Sequence, residues 1–171
     1  MPAVHVCPLS QIAPTVRASG ARHMVSVINE GTPVLRPAEI MAENHLFLGF
    51  NDIVAPADGM TAPAEVHVET LIGFFERWDR AAPIVVHCYA GISRSTAAAF
   101  IALCALEPQR DERETARALR KASRFATPNS RLVAIADRLL ARDGRMVAAI
   151  AEIGRGEDAY ENIPFVLPLG T

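Results

Sequence analysis

Cysteine is scarce in this chain: three in 171 residues, Cys7, Cys88 and Cys104. An odd number with no short repeated spacing excludes a disulfide framework and a zinc knuckle, and it fits a reducing compartment. An excess of one charge is also lacking. The formal net charge is -2, which argues against a dedicated nucleic-acid binder. No basic segment leads into an apolar run after Met1-Pro2-Ala3-Val4-His5, so no secretory signal is expected. Long hydrophobic runs are missing: the longest, Ala97 to Leu106, is too short to cross a bilayer. A soluble cytoplasmic protein without a membrane partner is therefore expected. No repeat, low-complexity tract or linker divides the chain, so residues 1–171 are expected to form one domain. His5, His23, His45 and His67 show no metal-ligand spacing, and neither metal nor cofactor is expected.

Half of the residues are hydrophobic, enough to bury a core without covalent staples. The charges are unevenly placed: residues 1–80 carry five basic and nine acidic side chains, whereas Arg110 to Arg145 carry ten and five. A solvated helical face is the favoured explanation for the basic stretch, ahead of an anion-facing surface. Short apolar runs at Ala3 to Cys7, Met24 to Ile28, His45 to Phe50 and Ile84 to His87 read as buried strands. Ser10 is placed to cap a short helix before Gly20, completing an N-terminal strand and helix in residues 1–20. Val68, Leu71, Ile72, Phe75 and Trp78 form an apolar stripe at helical spacing. The second half reads as helices alone: Ser95 to Leu106, Glu112 to Ser123 after a cap at Asp111, and Asn129 to Arg142. The pattern predicts an α/β fold, a central mostly parallel sheet flanked by helices with a helical C-terminal half. Residues 155–171 are expected to form an extended tail packed across the domain, with partner binding as the other reading.

Residues 83–96 carry the chemistry. Pro83-Ile84-Val85-Val86-His87-Cys88-Tyr89-Ala90-Gly91-Ile92-Ser93-Arg94-Ser95-Thr96 passes from an apolar strand through a loop into a helix. Such a loop aims backbone N–H groups at one point, and the helix dipole adds positive charge there. Tyr89, Ala90, Gly91, Ile92, Ser93 and Arg94 would thus hold a phosphate, sulfate or vanadate anion. Cys88 at the strand end would be the nucleophile, its thiolate favoured by the same cradle. Arg94, six residues on, supplies a planar fork for two phosphate oxygens. Gly91 lets the backbone turn and come close to the anion, and Ser95 can offer its hydroxyl to the sulfur as that sulfur leaves.

The run His87-Cys88-Tyr89-Ala90-Gly91-Ile92-Ser93-Arg94-Ser95 resembles the signature loop of protein tyrosine phosphatases. The resemblance implies that fold, a phosphocysteine intermediate and a phosphorylated protein or peptide substrate. His87 and Cys88 are neighbours on a strand and point to opposite faces, so a cysteine–histidine dyad is disfavoured. The resemblance instead implies that His87 supports the loop from behind. The uncharged side chains of Tyr89, Ala90, Ile92 and Ser93 disfavour a highly phosphorylated lipid, and phosphotyrosine is favoured over phosphoserine.

The leaving group needs a proton from another loop, and Asp52 and Asp58 are the candidates. Asp52 is favoured because it follows a strand end, whereas Asp58-Gly59 is a common turn pair. The small dual-specificity-type members imply the same placement, although the 36 residues from Asp52 to Cys88 leave an insertion within Ala55 to Pro63. Thr127-Pro128-Asn129 is similar to a Pro-Asn element of those members, which implies that Asn129 positions the hydrolytic water; a helix N-cap is its alternative role. Two other classes remain: a phosphate- or phosphopeptide-binding module without catalysis, and sulfur transfer or arsenate reduction. Cys104 reads as a small buried residue, or as a disulfide partner of Cys88 under oxidation.

Overall fold

The structure, a computed structural model, describes residues 1–170; Thr171, the last residue of the expected tail, lies outside them. Its strands are β1 Ala3–Pro8, β2 His23–Ile28, β3 His45–Gly49, β4 Ile84–Cys88 and β5 Phe165–Pro168. Its helices are α1 Ile12–Ser19, α2 Glu65–Arg77, α3 Arg94–Leu106, α4 Glu112–Ala122, α5 Ser130–Leu139 and α6 Arg145–Ile153. One five-stranded sheet runs in the order β3-β2-β4-β1-β5. The first four strands are parallel, so their carboxyl ends gather at one edge of the sheet, with Cys88 opposite Pro8. That edge is where open α/β sheets bind ligands.

Strand alternation divides the core in two. Val25, Val86 and Cys88 belong to the larger side with the helices α2 to α6, whereas Cys7, Met24 and Val85 pack with Ile12 and Val16 of α1. The helix α3 is buried from Arg94 to Cys104, as expected of a helix apolar on nearly every face. Asp111 caps α4 by accepting from Arg113 N–H at 2.8 Å and Glu114 N–H at 3.2 Å. Trp78 is buried just beyond the end of α2, where its Nε1–H donates to the Ala82 carbonyl.

Two expectations are corrected and one is extended. Ser10 does not cap α1: it lies in the single turn Leu9–Gln11, and its hydroxyl donates to Glu161. Within residues 155–171, read as an extended tail, Phe165–Pro168 pairs antiparallel with β1 and adds a fifth strand to the sheet. Its side chains alternate, with Leu167 buried between the exposed Val166 and Pro168. The helix expected to reach Arg142 stops at Leu139, and the left-handed residues Ala141, Asp143 and Gly144 turn the chain into α6. The basic stretch is largely paired: Arg113 and Arg117 meet Glu152, and Arg142 meets Glu112. Among the described residues, no helix is long and apolar enough to cross a membrane.

Candidate active site

Cys88 ends β4 and is 3 % exposed. Its Sγ receives the Gly91 N–H at 3.2 Å and lies 3.1 Å from Ser95 Oγ. The loop turns at Gly91, where φ is +72° and an added Cβ would fall 2.8 Å from Pro8 N. Both the left-handed backbone and the contact with β1 exclude a side chain there. Among the described residues, no protein acceptor takes the N–H of Ala90, Ile92 or Ser93.

Arg94 opens α3 with only 6 % of its surface exposed. One terminal nitrogen, Nη1, donates to Asn29 Oδ1 at 2.6 Å and to the Phe50 carbonyl at 2.8 Å. Those contacts hold the guanidinium from the ends of β2 and β3. Its Nε is buried without a partner. A buried charged donor left open is costly, and the edge it occupies suits an oxyanion.

His87 is fully buried on the opposite face of β4 from Cys88. Burial pushes its pKa down to about 4; the Cys88 carbonyl opposes the shift, while His45 and Arg94 add to it. The ring is therefore neutral, and its bonds assign the tautomer. Nδ1–H donates to the Cys88 carbonyl at 3.1 Å, leaving Nε2 to accept from the Ser26 hydroxyl at 2.6 Å. Ser26 Oγ in turn accepts from His45 Nε2 at 2.8 Å. The imidazole thus bonds the loop from behind and faces away from the sulfur.

Asp52 lies beyond β3, where its Oδ1 accepts from Ser93 Oγ at 2.7 Å and from Asn129 Nδ2 at 2.9 Å. The insertion is pinched off at its base, with Asn51 N–H donating to the Thr61 carbonyl and Thr61 N–H donating to Asn51 Oδ1. Asp58 sits in the exposed turn at the tip of that insertion. Asn129 takes the N-cap role, its Oδ1 accepting from Leu132 N–H, and its Nδ2 donates to Asp52. Asp52, Ser93 and Asn129 line an open cleft of about 630 Å³ with Thr127 and Pro128.

All three cysteines are free and buried. Burial pushes the Cys7 and Cys104 thiols up to about 12, so both stay protonated. Sequence reasoning missed Asn29, Ser26, the link from Ser93 to Asp52, and Asn162, which meets the loop from the tail. Only Asn29 carried a local signal, a polar residue directly after an apolar strand.

No family model matches the chain, and no curated protein matches it by sequence. Solved structures do. The PTP-2 phosphatase of Cydia pomonella aligns with a TM-score of 0.62 at 19% identity, over 79% of this chain and 84% of its own. DUSP15 aligns with a TM-score of 0.62 at 18% identity, over 92% and 96%. A human tyrosine phosphatase-like serine/threonine/tyrosine-interacting protein aligns with a TM-score of 0.63 at 15% identity, over 83% and 97%. The chain therefore has the fold of the small, dual-specificity members of the protein tyrosine phosphatase superfamily.

Proposed function

We propose that the protein is a cysteine-dependent phosphomonoesterase that acts on phosphorylated proteins or peptides, phosphotyrosine before phosphoserine. One observation supports the reading above the others: the Cys88 sulfur at the end of β4 receives the Gly91 N–H, and Arg94, six residues on, is buried with its Nε free of any protein partner. The free cysteines accord with a reducing cytoplasm.

In the proposed reaction the loop amides and Arg94 bind three phosphoryl oxygens. The Cys88 thiolate attacks phosphorus in line, the P–O ester bond breaks, and Asp52 gives its proton to the departing oxygen. Charge that shifts onto the equatorial oxygens meets donors already in place, which lowers the barrier. Water, oriented by Asn129 and deprotonated by the Asp52 carboxylate, then attacks phosphorus. The S–P bond breaks, Ser95 Oγ–H stabilises the returning thiolate, and inorganic phosphate leaves. Ser93 and Asn129 hold Asp52 for both half-reactions.

The test is turnover of an aryl phosphate by the native protein and by Cys88→Ser. The native protein should be active and inhibited by vanadate, and the serine variant should lose at least about 10³-fold in kcat. Equal turnover by the two would refute the reading. Tight phosphopeptide binding without turnover would select a binding module instead.

A further inference from the structure

Each carbonyl from Tyr89 to Ser93 accepts a hydrogen bond from a residue outside the loop. Leu9 N–H donates to the Tyr89 carbonyl at 3.0 Å, Thr127 N–H to that of Ile92 at 2.9 Å, and Asn129 N–H to that of Ser93 at 3.2 Å. The two carbonyls in the middle of the loop share one residue. Asn162 donates its backbone N–H to the Ala90 carbonyl at 2.8 Å and its side-chain Nδ2–H to the Gly91 carbonyl at 2.8 Å.

Within a trans peptide the carbonyl and the following N–H point in opposite directions. Drawing the Ala90 and Gly91 carbonyls outward therefore turns the N–H groups of Gly91 and Ile92 inward. These peptides flank the one glycine of the loop, where rotation meets least steric resistance. The Gly91 N–H is also the one that reaches the Cys88 sulfur.

Asn162 is itself held. It is 4 % exposed, and Ser123 Oγ–H donates to its Oδ1 at 2.9 Å, which fixes the amide with Nδ2 toward Gly91. The preceding tail is stitched to the segment between α4 and α5: Gly156 N–H donates to Thr127 Oγ1 and Glu157 N–H to the Arg124 carbonyl. Gly156 passes so close that a Cβ would fall 2.7 Å from the Phe125 carbonyl carbon.

We propose that Asn162 is a positioning residue that holds the two central peptides of the phosphate loop with their N–H groups turned toward the bound oxyanion. Its effect on turnover rests on the phosphatase reading above, whereas its effect on oxyanion binding does not. Asn162→Asp keeps the shape and the acceptor for Ser123 but replaces the donor with a carboxylate oxygen. Asn162→Ala removes both side-chain bonds and leaves the backbone bond to Ala90.

The experiment measures vanadate and inorganic phosphate affinity by titration calorimetry, kcat and KM for an aryl phosphate, and Tm, in the full chain. Both variants should bind the oxyanions about tenfold more weakly or worse, with kcat/KM falling alongside and the native fold retained. Ser123→Ala, which frees the Asn162 amide to rotate, should give a smaller loss in the same direction, and Ser123→Thr should restore binding. Native affinity in folded Asn162→Asp and Asn162→Ala would overturn the proposal. If both fail to fold, native affinity in Ser123→Ala would overturn it. Oxyanion binding without hydrolysis by the native protein would sink the phosphatase reading alone, and absence of binding would sink both.

Discussion

Asp52 Oδ1 already accepts hydrogen bonds from Ser93 and Asn129, so the proton of a general acid at this position belongs on Oδ2. Asp52→Ala should lower kcat for phosphotyrosine peptides by about 10²- to 10⁴-fold. The loss should shrink for aryl phosphates whose phenols leave readily as anions, which steady-state kinetics across a leaving-group series would check. His87 makes a second prediction at this scale. Its folded pKa of about 4 lies below the ordinary 6.5, so the unfolded chain binds the proton first as pH falls. Its contribution to stability is complete above pH 6.5 and is lost as pH falls toward 4, about 3 kcal/mol at most. Denaturant unfolding at pH 7 and pH 4.5 should therefore show a smaller pH effect in His87→Asn than in the native protein.

Each element ends where its chemistry is needed. The strands β2, β3 and β4 deliver Asn29, Phe50 and Cys88 to the same edge, and α3 begins with the arginine that the first two hold. Behind the site, α4 and the turn into α6 are joined by Glu112 and Arg142, 2.8 Å apart with side chains 7% and 8% exposed. Arg142 also donates to the carbonyl of Cys104, fastening the far end of α3. Glu112→Ala strands a buried guanidinium and should cost about 3–5 kcal/mol, visible as a lower denaturation midpoint. A destabilisation of under 1 kcal/mol would show that water reaches the arginine. The apolar stripe of α2 and the continuous apolar run of α3 were legible in the sequence. The helix α6 was not, because its start depends on Asp137: buried in α5, that carboxylate accepts the N–H groups of Gly144, Met146 and Val147.

At the scale of the whole molecule, β5 joins the last described segment to the first strand of the sheet. Leu167 is 2 % exposed against the main core, so Leu167→Ala should cost about 3 kcal/mol. In a domain of this size that lowers Tm by roughly 6–12 °C, which calorimetry would register. The parallel sheet and the residues of the loop could be read from the sequence because strand, loop and helix N-terminus lie within 14 consecutive positions, 83–96. Their supports could not. Ser26 lies 61 residues from His87, Asn29 lies 65 from Arg94, and Asn162 lies 71 from Gly91, separations that leave no local pattern.

That last separation sets an order of maturation during synthesis. A ribosome that has delivered Cys88, Arg94 and all six described helices has still not delivered the Asn162 amide that braces the middle of the loop. The nascent domain can collapse early around α3 and the parallel strands, whereas the middle of the 88–94 loop gains its brace only when the segment after α6 docks.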